Sequence, residues 1–99
     1  MTPSSIGLGN AKIFYGICNT SSSNPIKEVT CDDFSLSTDN ILYIKFNNTN
    51  TADMAQLTLN VANTGNKNIT NINAEDTFTN NMLYQFIYDG TNWVYIKNA

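Results

Sequence analysis

The chain of 99 residues contains no arginine and no histidine, and its five lysines are outnumbered by eight acidic residues. Without histidine it lacks the side chain that most often acts as a general base or binds a metal near neutral pH. Without arginine it lacks the planar cation that binds phosphate in a bidentate manner. These absences disfavour an enzyme and a bound cofactor or metal. They also disfavour a nucleic-acid partner, because the chain could neutralise few phosphates.

Long hydrophobic runs are also absent from the sequence. No apolar segment approaches the roughly 20 residues that span a bilayer, and the first residues have neither the basic nor the apolar region of a secretory signal. We therefore expect no membrane insertion, and a chain that either is not exported by that route or is cut from a longer polypeptide. Charged residues make up only 13% of the chain, which predicts a neutral, amide-rich surface.

Short segments rich in β-branched and aromatic residues recur along the chain, separated by Asn, Ser, Thr, Gly and Asp. Residues 41–46 (ILYIKF) and 56–61 (QLTLNV) alternate apolar with polar positions, as strands with one buried face do. Further strands are predicted within residues 11–18, 26–31 and 67–72 and in the two halves of 84–97. The predicted core includes Leu42, Ile44, Phe46, Leu57, Leu59 and Val61.

Seven short strands with turn signals about 8–12 residues apart are typical of small all-β domains. We therefore predict an all-β fold, either an antiparallel β-sandwich or a small barrel-like domain. Little helix is expected, because no apolar stripe with a period of 3.6 residues is present. Residues 1–10 are rich in Ser and Gly and include Pro3, so we expect a flexible linker or docking arm there. Residues 11–99 are then a single β-sandwich module.

The two cysteines, Cys18 and Cys31, flank a polar stretch that is expected to turn at residues 22–25. Such a turn brings two antiparallel strands together and places the cysteines nearly opposite one another. Two alternatives stay open, a disulfide or a pair of buried thiols, because a bridge requires Cα atoms about 4.4–6.8 Å apart. A zinc site or a redox-active pair is disfavoured, since no further soft ligands and no Cys-x-x-Cys motif are present.

A series of weak motifs follows in a fixed order at residues 15–18 (YGIC), 31, 45–46 (KF), 59–65 (LNVANTG) and 88–93 (YDGTNW). This series resembles a β-module common near the ends of bacteriophage tail fibres and other phage tail proteins, over residues 12–97. The opening TPSSIGLGN resembles the short segments that precede such modules. Asn81 and Met82 depart from the pattern, which has Gly and a charged residue there. The resemblance implies a virion protein of the distal tail, made in the bacterial cytoplasm, with a role in host adhesion.

Two functions fit the resemblance and the composition. The first is binding of a host surface glycan, because aromatic rings stack on sugars while amides and carboxylates hydrogen-bond their hydroxyls. The candidate ligand-binding residues are Trp93, Tyr95, Tyr88, Asn92 and Asp89. The second is a non-binding structural or oligomerisation module that contacts other tail subunits, with a homotrimer as the expected assembly because tail fibres are commonly trimers.

A glycan hydrolase is the third and least favoured function. It needs two carboxylates about 5–10 Å apart. The candidate carboxylates are Asp32, Asp33, Asp39, Asp53, Glu75 and Asp76. Acidic residues in turns are usually solvated, and no loop has the alternating oxygen ligands of a calcium motif.

The closing stretch of residues 84–97 predicts a hairpin around the turn 89–92 (DGTN). Tyr88 then pairs with Trp93, and Phe86 with Tyr95, so one side of the hairpin is aromatic and the other is largely aliphatic. Two interpretations remain open at this point. Either the aromatic side is core or subunit interface, or its outer part, Trp93 with Tyr95, is a partly exposed platform for a ligand.

Overall fold

The structure is a computed structural model that describes residues 12–97, which fold into a closed β-barrel. Within these residues there are seven strands: β1 (Ile13–Cys18), β2 (Ile26–Thr30), β3 (Ile41–Phe46), β4 (Thr58–Val61), β5 (Asn66–Thr70), β6 (Leu83–Tyr88) and β7 (Trp93–Ile96). A 3-10 helix covers Met54–Gln56. The order around the barrel is β1-β2-β4-β5-β7-β6-β3. The predicted arm of residues 1–10 lies outside the described residues.

The prediction of a small all-β domain is confirmed in its barrel form, whereas a two-sheet sandwich is not confirmed. The expectation of purely antiparallel pairing is wrong, because β1 pairs with β3, β2 with β4, and β5 with β7 in parallel. The reason is geometric. Strand directions cannot alternate all the way around a closed ring of seven, so at least one neighbouring pair must be parallel.

The barrel interior is filled from the alternate positions of each strand. All six core residues predicted from the sequence are buried: Leu42, Ile44, Phe46, Leu57, Leu59 and Val61. Phe78, Phe86 and Trp93 add large aromatic rings to the same core. Gly16 faces inward where β1 approaches β2, and a Cβ atom there would lie 2.6 Å from Cγ1 of Val29. The glycine of the YGIC motif therefore allows close packing of these two strands.

Asn81 lies in the turn before β6, where the resembling modules have glycine. Its backbone has a φ of 66°, in the left-handed region that asparagine tolerates better than most residues. The Asn81 backbone N–H donates to the Phe46 carbonyl oxygen at 2.8 Å, which ties the turn to the end of β3. Asparagine at this position therefore suits the left-handed backbone that the turn adopts.

Truncation of the Leu59 side chain should measure how much the core contributes to the stability of the barrel. Leu59 is fully buried, so Leu59→Ala should lower the free energy of unfolding by about 2–5 kcal/mol in urea titrations. Ile26→Ala is the control, because Ile26 is an exposed aliphatic residue on β2 and its loss should change stability by no more than about 0.5 kcal/mol. Equal effects of the two substitutions would contradict the assignment of Leu59 to the core.

Candidate functional site

The closing hairpin has the predicted register, with Tyr88 opposite Trp93 and Phe86 opposite Tyr95. Its turn is closed by a hydrogen bond from the Asp89 backbone N–H to the Asn92 carbonyl oxygen at 3.1 Å. Oδ1 of Asp89 accepts from the backbone N–H groups of Asn92 at 2.7 Å and of Thr91 at 2.8 Å. These bonds, the one from Asn92 first, lower the pKa of the Asp89 carboxyl. The carboxylate of Asp89 thus stabilises its own turn.

The aromatic side of this hairpin faces into the barrel. Trp93 has no exposed surface, and Tyr88 is only 8% exposed. The Trp93 ring packs against Tyr88 and Phe34, with centroids 5.2 and 6.0 Å away. Two of the five candidate ligand residues, Trp93 and Tyr88, therefore have no ring face free for a sugar, which supports the core interpretation. Tyr95 and Asn92 are half-buried, and Asp89 is exposed.

The two cysteines are free thiols, one buried and one half-buried. They are not directly opposite one another, because the register puts Val29 opposite Cys18. Cys31 lies two residues further along the chain than that partner. Its thiol donates to the Tyr15 carbonyl oxygen at 3.5 Å. Burial, followed by the nearby Asp32 carboxylate, raises the pKa of the Cys31 thiol and disfavours its reactive thiolate form.

Lys27 is a buried residue that the sequence analysis missed. It is almost fully covered, and its Nζ donates to the carbonyl oxygens of Ser21 at 3.1 Å and Ser22 at 3.4 Å. Burial lowers the pKa of this ammonium, and the neighbouring Cys18 opposes the shift more weakly. The alternation along β2 contained the signal, because Lys27 shares a face with the apolar Val29. Lys27 fastens the loop between β1 and β2 to the barrel.

The outside of β1, β3, β6 and β7 forms a continuous surface of mostly apolar side chains, which we call the outer face. The strand registers arrange it in three rows: Ile13-Ile41-Ile87-Val94, Tyr15-Tyr43-Gln85-Ile96 and Ile17-Lys45-Leu83. Tyr15 is 67% exposed and Ile13 is 57% exposed. Lys45 is the one charged residue in these rows. The rings of Tyr15 and Tyr43 stack at the centre with centroids 5.3 Å apart.

A groove of about 510 Å³ lies at the edge of the outer face. It is lined by Tyr43, Asp76, Met82, Leu83, Tyr84, Gln85, Tyr95, Ile96 and Lys97. Among the candidate ligand residues of the sequence analysis, only Tyr95 lines this groove. The other lining residues come from β3, β6, the end of β7 and turns without a recognisable motif, so sequence alone did not bring them together.

Ionisable groups in the groove have defined charges at neutral pH. Nζ of Lys97 lies 2.9 Å from Oδ2 of Asp76, which also accepts from the Asn73 backbone N–H at 2.7 Å. These hydrogen bonds, that from Lys97 first, lower the pKa of the Asp76 carboxyl. Burial, then the charges of Asp76 and Tyr84, raises the pKa of the Tyr95 phenol. The groove therefore contains an ion pair close to tyrosine side chains.

The carboxylates considered for hydrolysis lie in turns of the described chain or beside its 3-10 helix. Asp53 accepts from the Ala55 backbone N–H at 3.0 Å and caps that helix, while Asp33 and Asp39 have left-handed backbones. Within residues 12–97, no three His, Cys, Asp or Glu side chains are grouped so as to hold a metal ion. Over the same range, no helix is both long and apolar enough to cross a membrane.

Comparison of the chain with protein-family models, with curated proteins and with solved structures yields no match. The barrel's own surface is therefore the guide to its function. Two features of that surface are distinctive: the apolar outer face and the mixed groove at its edge.

The burial of Lys27 should make stability depend on pH in the alkaline range. Because its folded-state pKa lies below the ordinary value of 10.5, the folded protein releases this proton before the unfolded chain does. Between the folded-state pKa and about pH 10.5, the unfolded chain binds more protons than the folded protein does. The free energy of unfolding should therefore rise with pH over this range. Urea titrations at several alkaline pH values should show that Lys27→Met removes this rise. Lys45→Met, which alters an exposed lysine, should retain it, and the same slope in both variants would refute the claim.

The Trp93 side chain should stabilise the folded protein as part of the core. It is the largest of the fully buried side chains, so Trp93→Ala should lower the free energy of unfolding by about 3–5 kcal/mol. Met82→Ala, at an exposed position, should stay within about 0.5 kcal/mol of the parent protein in the same denaturation experiment. A Trp93→Ala variant that unfolds like the parent would rule out a core role.

Proposed function

We propose that the chain is a structural module of a phage tail protein with a role in host adhesion, and that it assembles with copies of itself through the outer face. The observation that supports assembly is the group of exposed apolar side chains on one side of the barrel. Ile13, Tyr15 and Ile17 on β1 and Leu83 on β6 are all more than 40% exposed, and β3 joins these two strands into one surface. The ordered motifs that resemble phage tail modules support the location in the virion.

Assembly of a closed barrel depends on side chains, because a closed barrel has no free strand edge for pairing. The outer face is about 14 Å across its four strands and about 13 Å along them, from ordinary strand dimensions. A typical stable interface buries about 800 Å² on each partner. These dimensions correspond to about 180 Å², so the outer face can form the apolar centre of an interface, and the polar residues around it must supply most of the remaining area as the rim. The resemblance to phage tail modules favours three copies.

Sedimentation of the full chain over a range of concentrations tests this proposal. We expect the parent protein to sediment as a trimer and Ile13→Glu to sediment as a monomer, because a charge in the apolar centre cannot be desolvated cheaply. Ile26→Glu is the matched control, since Ile26 is also an exposed isoleucine at a strand end but lies outside the outer face. A parent protein that stays monomeric, or equal dissociation of both variants, would overturn the proposal.

Glycan recognition is the second candidate function. The observation that favours it is the groove at the edge of the outer face, where tyrosine rings lie near an amide and an ion pair. Trp93 and Tyr88 are buried, so the proposed contact with a host glycan moves from the tip of the closing hairpin to this groove, with Tyr95 retained.

A further inference from the structure

We propose that this groove binds one or two rings of a neutral saccharide, with Tyr43 and Ile96 against the sugar's apolar surface and Gln85, Asp76 and Lys97 on its hydroxyls. This inference rests on the proposed role in adhesion and does not require assembly. Tyr43, Gln85 and Ile96 also belong to the middle row of the outer face, so a sugar in the groove and a neighbouring copy of the chain would compete for them. The groove's volume of about 510 Å³ lies within the usual range for small-molecule sites, about 300–1,000 Å³.

The strand registers place the apolar and polar groups next to one another. Gln85 lies between Tyr43 on β3 and Ile96 on β7, in a single row across three strands. A pyranose ring has an apolar face of C–H groups and a rim of hydroxyls, so it requires an aromatic or aliphatic surface flanked by hydrogen-bonding groups. The stacked ring of Tyr15 supports Tyr43 in this row.

Hydrogen-bonding capacity remains available in the groove. Among the described residues, the Gln85 amide and the Tyr95 hydroxyl have no protein hydrogen-bond partner, and neither is a buried unsatisfied group. The Tyr84 hydroxyl, in contrast, already accepts from the Thr79 backbone N–H at 2.8 Å. An amide can both donate and accept, so Gln85 can bind two neighbouring sugar hydroxyls.

The ion pair determines the charge of the ligand. Asp76 and Lys97 neutralise each other at 2.9 Å, and no other lining residue is charged. An ion pair can accept a hydrogen bond from one hydroxyl through its carboxylate and donate to a second through its ammonium. An anionic sugar would find no unpaired cation in the groove. The ligand class that matches is therefore a neutral hexose or N-acetylhexosamine.

The test is a titration of the folded full chain with maltose, cellobiose, lactose and diacetylchitobiose, with sialyllactose as the anionic comparison. We expect at least one neutral disaccharide to bind, with backbone amide NMR shifts concentrated on β6 and β7. Gln85→Ala should weaken this binding at least tenfold, and Asp76→Asn should weaken it as well. Gln56→Ala is the matched control, because Gln56 is an exposed glutamine on the 3-10 helix, and it should bind like the parent.

Two results would overturn the inference. One is the absence of binding to any of the four neutral disaccharides by a chain whose thermal unfolding shows that it is folded. The other is equal binding by the Gln85→Ala and Gln56→Ala variants. Sedimentation of the same samples separates this failure from failure of assembly: a trimer that binds none of the sugars leaves assembly intact, whereas a monomer that binds through the groove leaves only the saccharide inference.

Discussion

The parallel pairing of β1 with β3 closes the barrel, and the rest of the structure depends on that closure. It extends over six residue pairs, from Ile13 opposite Ile41 to Cys18 opposite Phe46. Once the ring is closed, each of the seven described strands has a hydrogen-bonded neighbour on both sides, although β1 with β2 and β5 with β7 pair over only two residues each. Most of the surface that remains for a partner is therefore made of outward side chains and turns. The same closure fixes the interior volume that the inward side chains must fill.

Filling that interior determines which side of the closing hairpin faces inward. Both sides are apolar, but Phe86 and Trp93 pack inside against Phe78 and Phe34, while Val94 and the other aliphatic residues face outward. Large rings fill a closed barrel more completely than branched aliphatic side chains, and an unfilled cavity is costly. The hairpin's aliphatic side then becomes part of the outer face. The inward orientation of the hairpin's aromatic side therefore determines both the packing of the core and the apolar character of the outer face.

Local patterns in the sequence predicted much of this fold and little of the candidate site. Alternation identified the strands and the buried side chains of β3 and β4, and the DGTN turn fixed the register of the last hairpin. Alternation shows which residues share a face, but it does not show which face is inside or which strands are neighbours. The parallel pairs depend on contacts between distant segments, so local signals could not reveal them. Tyr43 and Gln85 line the same groove for this reason, because β3 and β6 are far apart in the chain.

The two halves of the barrel's outer surface differ in a way that composition does not explain. On β2, β4 and β5, one outward row is Glu28-Asn60-Asn66 and the next is Ile26-Thr58-Asn68, in which Ile26 is the only apolar residue. On the other four strands the corresponding rows are almost entirely apolar. Both halves belong to one chain of a single overall composition, so composition alone cannot account for this contrast.

Removing apolar surface from water lowers the free energy by about 25 cal/mol per Å². Exposed isoleucine, leucine and tyrosine side chains contribute this stabilisation only when a partner covers them. The polar half shows that this barrel folds with outward Asn and Thr, so its fold does not require an apolar outer face. A surface whose apolar residues the fold does not need is best explained by a partner that covers it. The groove lies where this apolar surface meets the polar turn at Asp76, and a sugar, which has both apolar and hydroxyl-bearing surfaces, matches such a boundary better than either half alone.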